Sequence, residues 1–275
     1  MGLFGLIGEK LKHSFSPAIH SIIFRELNIE GYYNLFEVKK GDLKDAIYGL
    51  KALGIRGVNV TIPYKIDIIK YLDNISDEAE RIGAVNTICF RDNKAIGYNT
   101  DYFGFGIMLD EFNIDIRGKN SVILGTGGAS KSVMQYLLDK GIGDITFASR
   151  DISKAKEKFK NHRAISYNDI KSLNKKDIII NCTPCGMYPN VENCPVSKKD
   201  ISKFHTAIDL IYNPRETLFL KYAKEEGIKT VNGLYMLVGQ AVKAQELWND
   251  IKISSGAIDR IYDRIREGDR KKVKI

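Results

Sequence analysis

The sequence predicts an α/β protein made of two α/β domains, each built on a mainly parallel sheet. Three observations carry this. Strand-like and helix-like runs alternate almost throughout the 275 residues, as βα units do. A polar, turn-rich join, NIDIRGKN at 113–120, separates two such series. The second series opens on an apolar strand that runs into a glycine turn and a helix, SVILGTGGASKSV. The length also suits two domains, at about 150 residues each.

The elements follow in order. LFGLIG is a strand and SPAIHSIIFRELNI has helical periodicity. YYNLFEV is a strand, and DLKDAIYGLKALG is a helix closed by Gly54. In GVNVTI a period of two puts Val58, Val60 and Ile62 on the core face and Asn59 and Thr61 on the other. Pro63, with no N–H to donate, ends the pairing. IDIIKYLD and ISDEAERIG read as helical, and AVNTICF with AIGYNT as a hairpin around Asp92-Asn93-Lys94. The second series has strands at SVIL, DITFA, AISY, DIIIN, TAIDLIY and IKTVN, with helices between several of them. LYMLVGQAVKAQELWND closes the pattern as an amphipathic helix.

Composition excludes several classes. The hydrophobic fraction of 44% is that of a soluble globular protein. No apolar run approaches the ~20 residues that span a bilayer, so no membrane partner is expected. MGLFGLIGEKLKHS lacks a basic leader and is a first strand. The net charge of +8 favours anionic ligands. Its lysines are scattered, and the one dense run, REGDRKKVKI, reads as a solvated tail. No recognition-helix or RNP-like pattern accompanies them, so nucleic acid is not a partner. Cys182 and Cys185 form a C-x-x-C, but Cys89 and Cys194 do not form a second pair at metal-binding spacing. Pro184 and Gly186 make that stretch a loop, no metal is expected, and a reducing, cytoplasmic compartment follows.

Two regions carry chemistry. Gly125, Thr126, Gly127, Gly128 and Ala129 sit between a strand and a helix, where backbone N–H groups receive a pyrophosphate. Ser130 stands at the third small position of the pattern. About 20 residues on, where an acid would hold ribose hydroxyls, the chain has Ser149, Arg150 and Asp151, with Lys154 a turn later. An arginine there suits a 2′-phosphate, so NADP(H) is the expected cofactor. Asp151 is either a ribose ligand or the N-cap of the next helix.

The first half holds polar residues at unusual places. Ser14 and Ser16 precede a helix, with Ser16 suited to N-cap and Pro17 to the first turn. Two hydroxyls at a helix start also suit a carboxylate. Lys65 opens a helical segment, where a fixed cation opposes the dipole. Asn86 and Thr87 follow in GAVNTI, and Asn99, Thr100 and Asp101 in GYNTD. Asp101 either caps a helix beginning at Tyr102 or serves a site.

HSFSPAIH, VNVTIPYK, GAVNTI, GYNTDYFG, LGTGGASKSV, NCTPCGM, DLIYNP and NGLYMLVGQA, in that order, resemble the motifs of the shikimate dehydrogenase family. They run from residue 5 to about residue 250. The resemblance implies reduction of 3-dehydroshikimate to shikimate with NADPH, in the route to chorismate and aromatic amino acids. It implies an N-terminal substrate domain and a C-terminal Rossmann-type NADP domain, separated by a cleft that closes on both ligands. Lys65 and Asp101 match the catalytic pair. Ser14, Ser16, Thr61, Lys65, Asn86, Asp101, Tyr212 and Gln240 match substrate positions, and Asn59 borders them. Gly125 to Ala129, Ser149 to Lys154 and Gly233 match cofactor positions. Asp77 matches the cofactor's edge, and Leu210 and Ile211 lie beside the nicotinamide pocket. With Gln240 on the last amphipathic stretch, the substrate domain is expected at 1–101 plus 238–275 and the NADP domain at 102–237. Many members have N-R-T where this chain has Ser149-Arg150-Asp151, and Gly where it has Tyr235. Lys65 is expected to protonate or stabilise the developing alkoxide and Asp101 to hold it; which of them moves the proton stays open. An NAD-using quinate/shikimate dehydrogenase, a non-catalytic NADP-binding regulator and a homodimer also stay open.

Overall fold

The structure, a computed structural model, describes residues 1–12, 14–174 and 176–268. The basic tail therefore lies outside the described residues from 269 onward. The chain divides into two compact units, Met1–Phe105 with Leu237–Ile275, and Gly106–Met236. Among the described residues no helix is long and apolar enough to cross a membrane.

The first unit carries strands β1 (Gly2–Gly8), β2 (Gly31–Glu37), β3 (Gly57–Val60), β4 (Asn74–Ile75), β5 (Thr87–Arg91) and β6 (Lys94–Tyr98). They pair in the order β2-β1-β3-β5-β6-β4. β1 runs parallel to β2 and β3, while β3–β5 and β5–β6 are antiparallel. Asp92 and Asn93 take positive φ at the hairpin turn, which their short side chains tolerate. Helices α1 (Ser16–Leu27), α2 (Leu43–Ala52), α3 (Asp77–Ile82) and α4 (Thr100–Glu111) follow the strands. Phe4 and Ile7, opposite in parity along β1, enter different apolar clusters, so both faces of the sheet are covered.

The second unit carries β7 (Asn120–Leu124), α5 (Gly128–Asp139), β8 (Asp144–Ala148), α6 (Ile152–Lys158), β9 (Arg163–Ile165), β10 (Ile178–Asn181), α7 (Lys198–Ile201), β11 (Thr206–Asp209), α8 (Leu218–Glu225) and β12 (Lys229–Asn232). All its strands are parallel, in the order β12-β11-β10-β7-β8-β9. This is the doubly wound dinucleotide-binding order, and it reverses between β7 and β10. Val122, Leu124, Ile179 and Ala207 are wholly buried, as central parallel strands require.

The last two helices, α9 (Leu234–Asn249) and α10 (Ser255–Glu267), return the chain to the first unit. Trp248 stacks on Phe4 with ring centroids 5.0 Å apart, and its indole N–H donates to the Ile88 carbonyl at 2.9 Å. The indole lies where a Cβ on Gly57 would stand, 2.0 Å from its nitrogen, so only glycine lets α9 approach β3. Glu26 on α1 receives Arg260 at 2.5 Å and Arg264 at 3.1 Å from α10.

Three local expectations are corrected. Ile62 is 78% exposed instead of facing the core, because β3 ends at Val60 and the chain turns, with Tyr64 N–H bonded to the Thr61 carbonyl. Tyr64 fills that core position, fully buried, with its hydroxyl on the Val38 carbonyl. IDIIKYLD forms a short 3-10 helix at Asp67–Tyr71, because Asn74–Ile75 must extend to pair with β6. At α1 the N-cap position is Phe15 rather than Ser16, and no side chain caps it. Pro17 does lie in the first turn.

Candidate active site

In the first unit the turn after β3 and the start of α4 bring two charges together. Lys65 Nζ lies 2.6 Å from Asp101 Oδ2, with the side chains only 22% and 8% exposed. Lys65 is placed by its own backbone, whose carbonyl accepts the Val85 N–H at 2.7 Å. Asp101 is free for this pairing because it does not cap α4. Asn99 does so, accepting the Tyr102 N–H at 3.3 Å while its Nδ2 donates to the Ala84 carbonyl. A part-buried, charge-assisted pair of this length is held rigidly.

Next to the pair stands a cluster of buried polar side chains. Asn86, Thr87, Asn99 and Thr100 are all nearly inaccessible. Asn86 Oδ1 accepts from the Thr100 N–H at 2.7 Å and lies 3.1 Å from Thr87 Oγ1. Both ends of the Asn59 amide are bonded to protein groups. Its Oδ1 accepts from the Tyr33 hydroxyl at 2.7 Å and its Nδ2 donates to Thr87 Oγ1 at 3.0 Å. Ser14 Oγ accepts the Ser16 N–H at 3.3 Å. Ser16 also bonds the Tyr33 hydroxyl, whose titration burial pushes far upward. Thr61 is half-buried with its N–H on the Ile7 carbonyl, and Gln240 is half-buried on α9. Asp77 is exposed as the first residue of α3.

In the second unit the glycine turn has the shape its sequence requires. Gly125 takes φ +92°, and a Cβ there would meet the Thr183 methyl at 2.7 Å. Gly127 and Gly128 face open space, and no side chain caps the start of α5. The first-turn N–H groups are thus left to a ligand. Ser130 Oγ donates to the Gly125 carbonyl at 3.0 Å, which gives the serine at the third small position a role in the turn. Beyond β8, Ser149 Oγ accepts the Asp151 N–H at 3.1 Å, and Asp151 caps α6 by accepting the Lys154 N–H at 2.9 Å. Arg150 and Lys154 are exposed.

Lys158, which the sequence did not single out, adds to this patch. Its ammonium donates to the Thr126 carbonyl of the glycine turn. Desolvation, and after it the like charges of Lys131 and Lys154, push its titration downward. Cations that repel one another beside a glycine turn fit an anion of high charge. Lys154 and Lys158 are four apart on α6, a spacing that could have drawn attention.

The remaining second-unit candidates sit on the loop after β11. Asp209 anchors it, accepting from Asn181 Nδ2 at 3.0 Å, the Ile211 N–H at 3.0 Å and the Thr217 hydroxyl at 2.6 Å. Burial raises the Asp209 carboxyl from 3.8 to about 7, against those three bonds. Leu210 and Tyr212 are half-buried there, Ile211 is buried, and Gly233 donates its N–H to the Ile211 carbonyl at 3.1 Å. Tyr235 stacks edge-on against Phe112 with centroids 5.9 Å apart. All four cysteines are free, and burial raises both thiols of the C-x-x-C. Among the described residues no group of His, Cys, Asp and Glu could hold a metal ion.

Residues 6–88 match the family model described as the shikimate dehydrogenase substrate binding domain, and residues 107–216 match that of shikimate / quinate 5-dehydrogenase. The chain belongs to the shikimate dehydrogenase family. It is 52% identical to the NADP(+) shikimate dehydrogenase of Clostridium perfringens, over 97% of this chain and 99% of that one. Among solved structures of the family, the chorismate mutase/shikimate 5-dehydrogenase fusion protein of Clostridium acetobutylicum superposes with a TM-score of 0.95 at 49% identity. That match covers 97% of this chain and 98% of the other. The shikimate 5-dehydrogenase of Thermus thermophilus, solved in complex with NADP(H) and shikimate, gives a TM-score of 0.85 at 30% identity, covering 96% of this chain and 99% of that one. Both family models fall on the two α/β series described above.

Proposed function

We propose that this chain reduces 3-dehydroshikimate reversibly to shikimate with NADPH, on the route to chorismate, and that Lys65 and Asp101 serve the reacting ketone. The observation that carries the residue assignment is the 2.6 Å ion pair between them. Charge develops on the ketone oxygen during reduction, and a preorganised cation beside it stabilises the transition state. Lys65 delivers a proton from Nζ to that oxygen. Asp101 keeps the ammonium aimed and accepts from the neighbouring substrate hydroxyl. Ser14 and Ser16 receive the carboxylate at the start of α1; Thr61, Asn86, Tyr212 and Gln240 receive hydroxyls and carboxylate oxygens. A site built to bond hydroxyls rejects analogues that lack them, since its own groups are then unpaired.

NADPH fits the second unit. The open N–H groups of Gly127 to Ala129 suit its pyrophosphate, and Arg150 with Lys131, Lys154 and Lys158 suits its 2′-phosphate. Bound NADPH supplies the hydride. Leu210, Ile211 and Gly233 border its nicotinamide and Asp77 its outer edge. Asp151 acts as the α6 cap and positions Lys154. The substrate domain comprises the first unit and the NADP domain the second. Four free thiols suit a reducing cytoplasm.

The test is a spectrophotometric assay of NADPH oxidation by the purified chain with 3-dehydroshikimate. Turnover is expected. Absence of NADPH consumption sinks the proposal. The same assay with quinate and NAD should show far lower kcat/KM, and equal activity there would instead assign the quinate reading.

A further inference from the structure

We propose that His20 is a positioning residue: a one-way chain of hydrogen bonds, running from α9 through His20, holds Asn86 so that it meets the substrate as a donor. The proposal rests on Asn86 contacting the substrate, as proposed above.

The direction of the chain is fixed at both ends by groups that cannot reverse. At the α9 end, Asn249 Nδ2 lies 3.0 Å from the Gln245 carbonyl, which only accepts. Asn249 Oδ1 lies 3.3 Å from Arg56 Nη1, which only donates. The 2.9 Å contact from Asn249 Nδ2 therefore ends on Gln245 Oε1. The other end of the same amide, Gln245 Nε2, faces His20 Nδ1 at 2.8 Å and must donate. A neutral imidazole that accepts at Nδ1 carries its proton on Nε2.

His20 is 1% exposed and stacks on Tyr33 at 4.1 Å between centroids, so water does not serve it. Burial lowers its titration to about 3, and its bond to the Asn59 side chain offsets this only in part. It stays neutral under ordinary conditions. Asn59 Nδ2 is assigned by the Asn86 carbonyl at 3.4 Å, again an acceptor only. His20 bonds the Asn59 side chain, and with Nδ2 so assigned the acceptor left for the His20 Nε2–H is Asn59 Oδ1, which also accepts from the Tyr33 hydroxyl. Asn59 Nδ2 donates to Thr87 Oγ1, whose own hydrogen goes either to Asn86 Oδ1 at 3.1 Å or to Thr100 Oγ1, which then donates to that same oxygen at 3.2 Å. The Thr100 backbone N–H, which only donates, pins that oxygen from the other side. Asn86 Oδ1 is thus taken up by the protein, and the Nδ2 hydrogens are what Asn86 offers a ligand. A substrate hydroxyl there is received through its oxygen.

Two substitutions separate polarity from packing. His20→Gln can accept from Gln245 and donate to Asn59, as the Nε2–H tautomer does; His20→Leu can do neither. Shikimate and 2′,5′-ADP binding are measured by calorimetry, and the tautomer by long-range 1H–15N spectra of histidine-labelled protein. The unmutated chain is expected to show His20 with a protonated Nε2 and a bare Nδ1 throughout roughly pH 5 to 8. His20→Leu is expected to lose about tenfold or more in shikimate affinity, because buried polar groups lose partners. His20→Gln should stay within about threefold of the parent, and 2′,5′-ADP affinity should move in neither. An Nδ1–H tautomer, an imidazolium in that range, or unchanged shikimate affinity in a folded Leu variant overturns the proposal. Should His20→Leu not fold, the spectrum of the unmutated chain decides. Failure of the unmutated chain to bind shikimate at all would instead overturn the proposed function, with the tautomer result still standing.

Discussion

The candidate sites of the two units are built by opposite means. In the first the site is made of side chains: Thr87, Asn86 and Thr100 are buried and bonded to one another, with the half-buried Asn59 bonded to Thr87. In the second it is made of backbone and charge: a glycine turn with an uncapped helix start, flanked by exposed cations. A polyhydroxylated ring presents donors and acceptors in fixed places, and only an equally fixed set answers them. A phosphate presents high charge and little directional demand, which clustered cations and helix N–H groups satisfy loosely. Substitutions in the first unit should therefore act sharply, and substitutions in the cationic patch should act gradually and depend on salt.

The sharpest expected effect is at the ion pair. Lys65→Ala should lower kcat by about 10²–10⁴-fold, the range for loss of a positioned acid, with a much smaller change in shikimate KM. Steady-state kinetics checks it, and a near-normal kcat removes Lys65 from the chemistry.

Asp209 is the place where the second unit resembles the first, a buried side chain with three donors. Its folded carboxyl titrates near about 7, above its ordinary 3.8. Between those values the folded chain holds a proton that the unfolded chain releases. Stability from this group is therefore fullest below the ordinary value, falls as pH rises through the window, and levels off above about 7. Denaturant unfolding from acid to neutral pH should show that fall, and Asp209→Asn should flatten it. An equal slope in the variant would place the titration elsewhere.

Gly125→Ala tests the turn itself. The positive φ and the 2.7 Å approach of Thr183 both oppose a Cβ, and strain of this kind costs about 1–3 kcal/mol. Thermal melting should fall together with 2′,5′-ADP affinity, while shikimate binding to the other unit stays as it was. Loss of shikimate binding alone would break the division of labour between the units.

What could be read from the sequence follows the range of the signal. The strands of the second unit and its glycine turn are local patterns, a run of apolar residues and a spacing of glycines, and both appear in the fold. Lys65 and Asp101 stand out in the sequence because a simple structural role fits each poorly or only partly. Their contact spans 36 residues and is expected only through the family resemblance, while the capping by Asn99 that frees Asp101 has no signal in the sequence. His20 and Gln245 were invisible for a different reason. Each sits on a buried helix face, where one polar residue among apolar ones looks like packing, and they are 225 residues apart. Ile62 departs from the alternation because it lies beyond Val60, the last paired residue of β3. Periodicity predicts which face a residue takes only while the ladder lasts.

The smallest effect expected, and the finest probe of the comparison, is at Lys158. Its ammonium touches the glycine turn and shares the patch with Lys131 and Lys154. In the absence of an anion these charges oppose one another. A 2′-phosphate reverses the sign of that interaction, so Lys158→Ala should weaken NADPH more than NADH. The loss should be modest, about three- to fivefold in the NADPH KM at low salt, since exposed charges are well screened and the neighbouring cations remain. Raising ionic strength should shrink the difference between parent and variant. Shikimate KM should not move. A variant that loses NADH and NADPH equally, at every salt concentration, would show that Lys158 shapes the turn through the Thr126 carbonyl instead of reading charge.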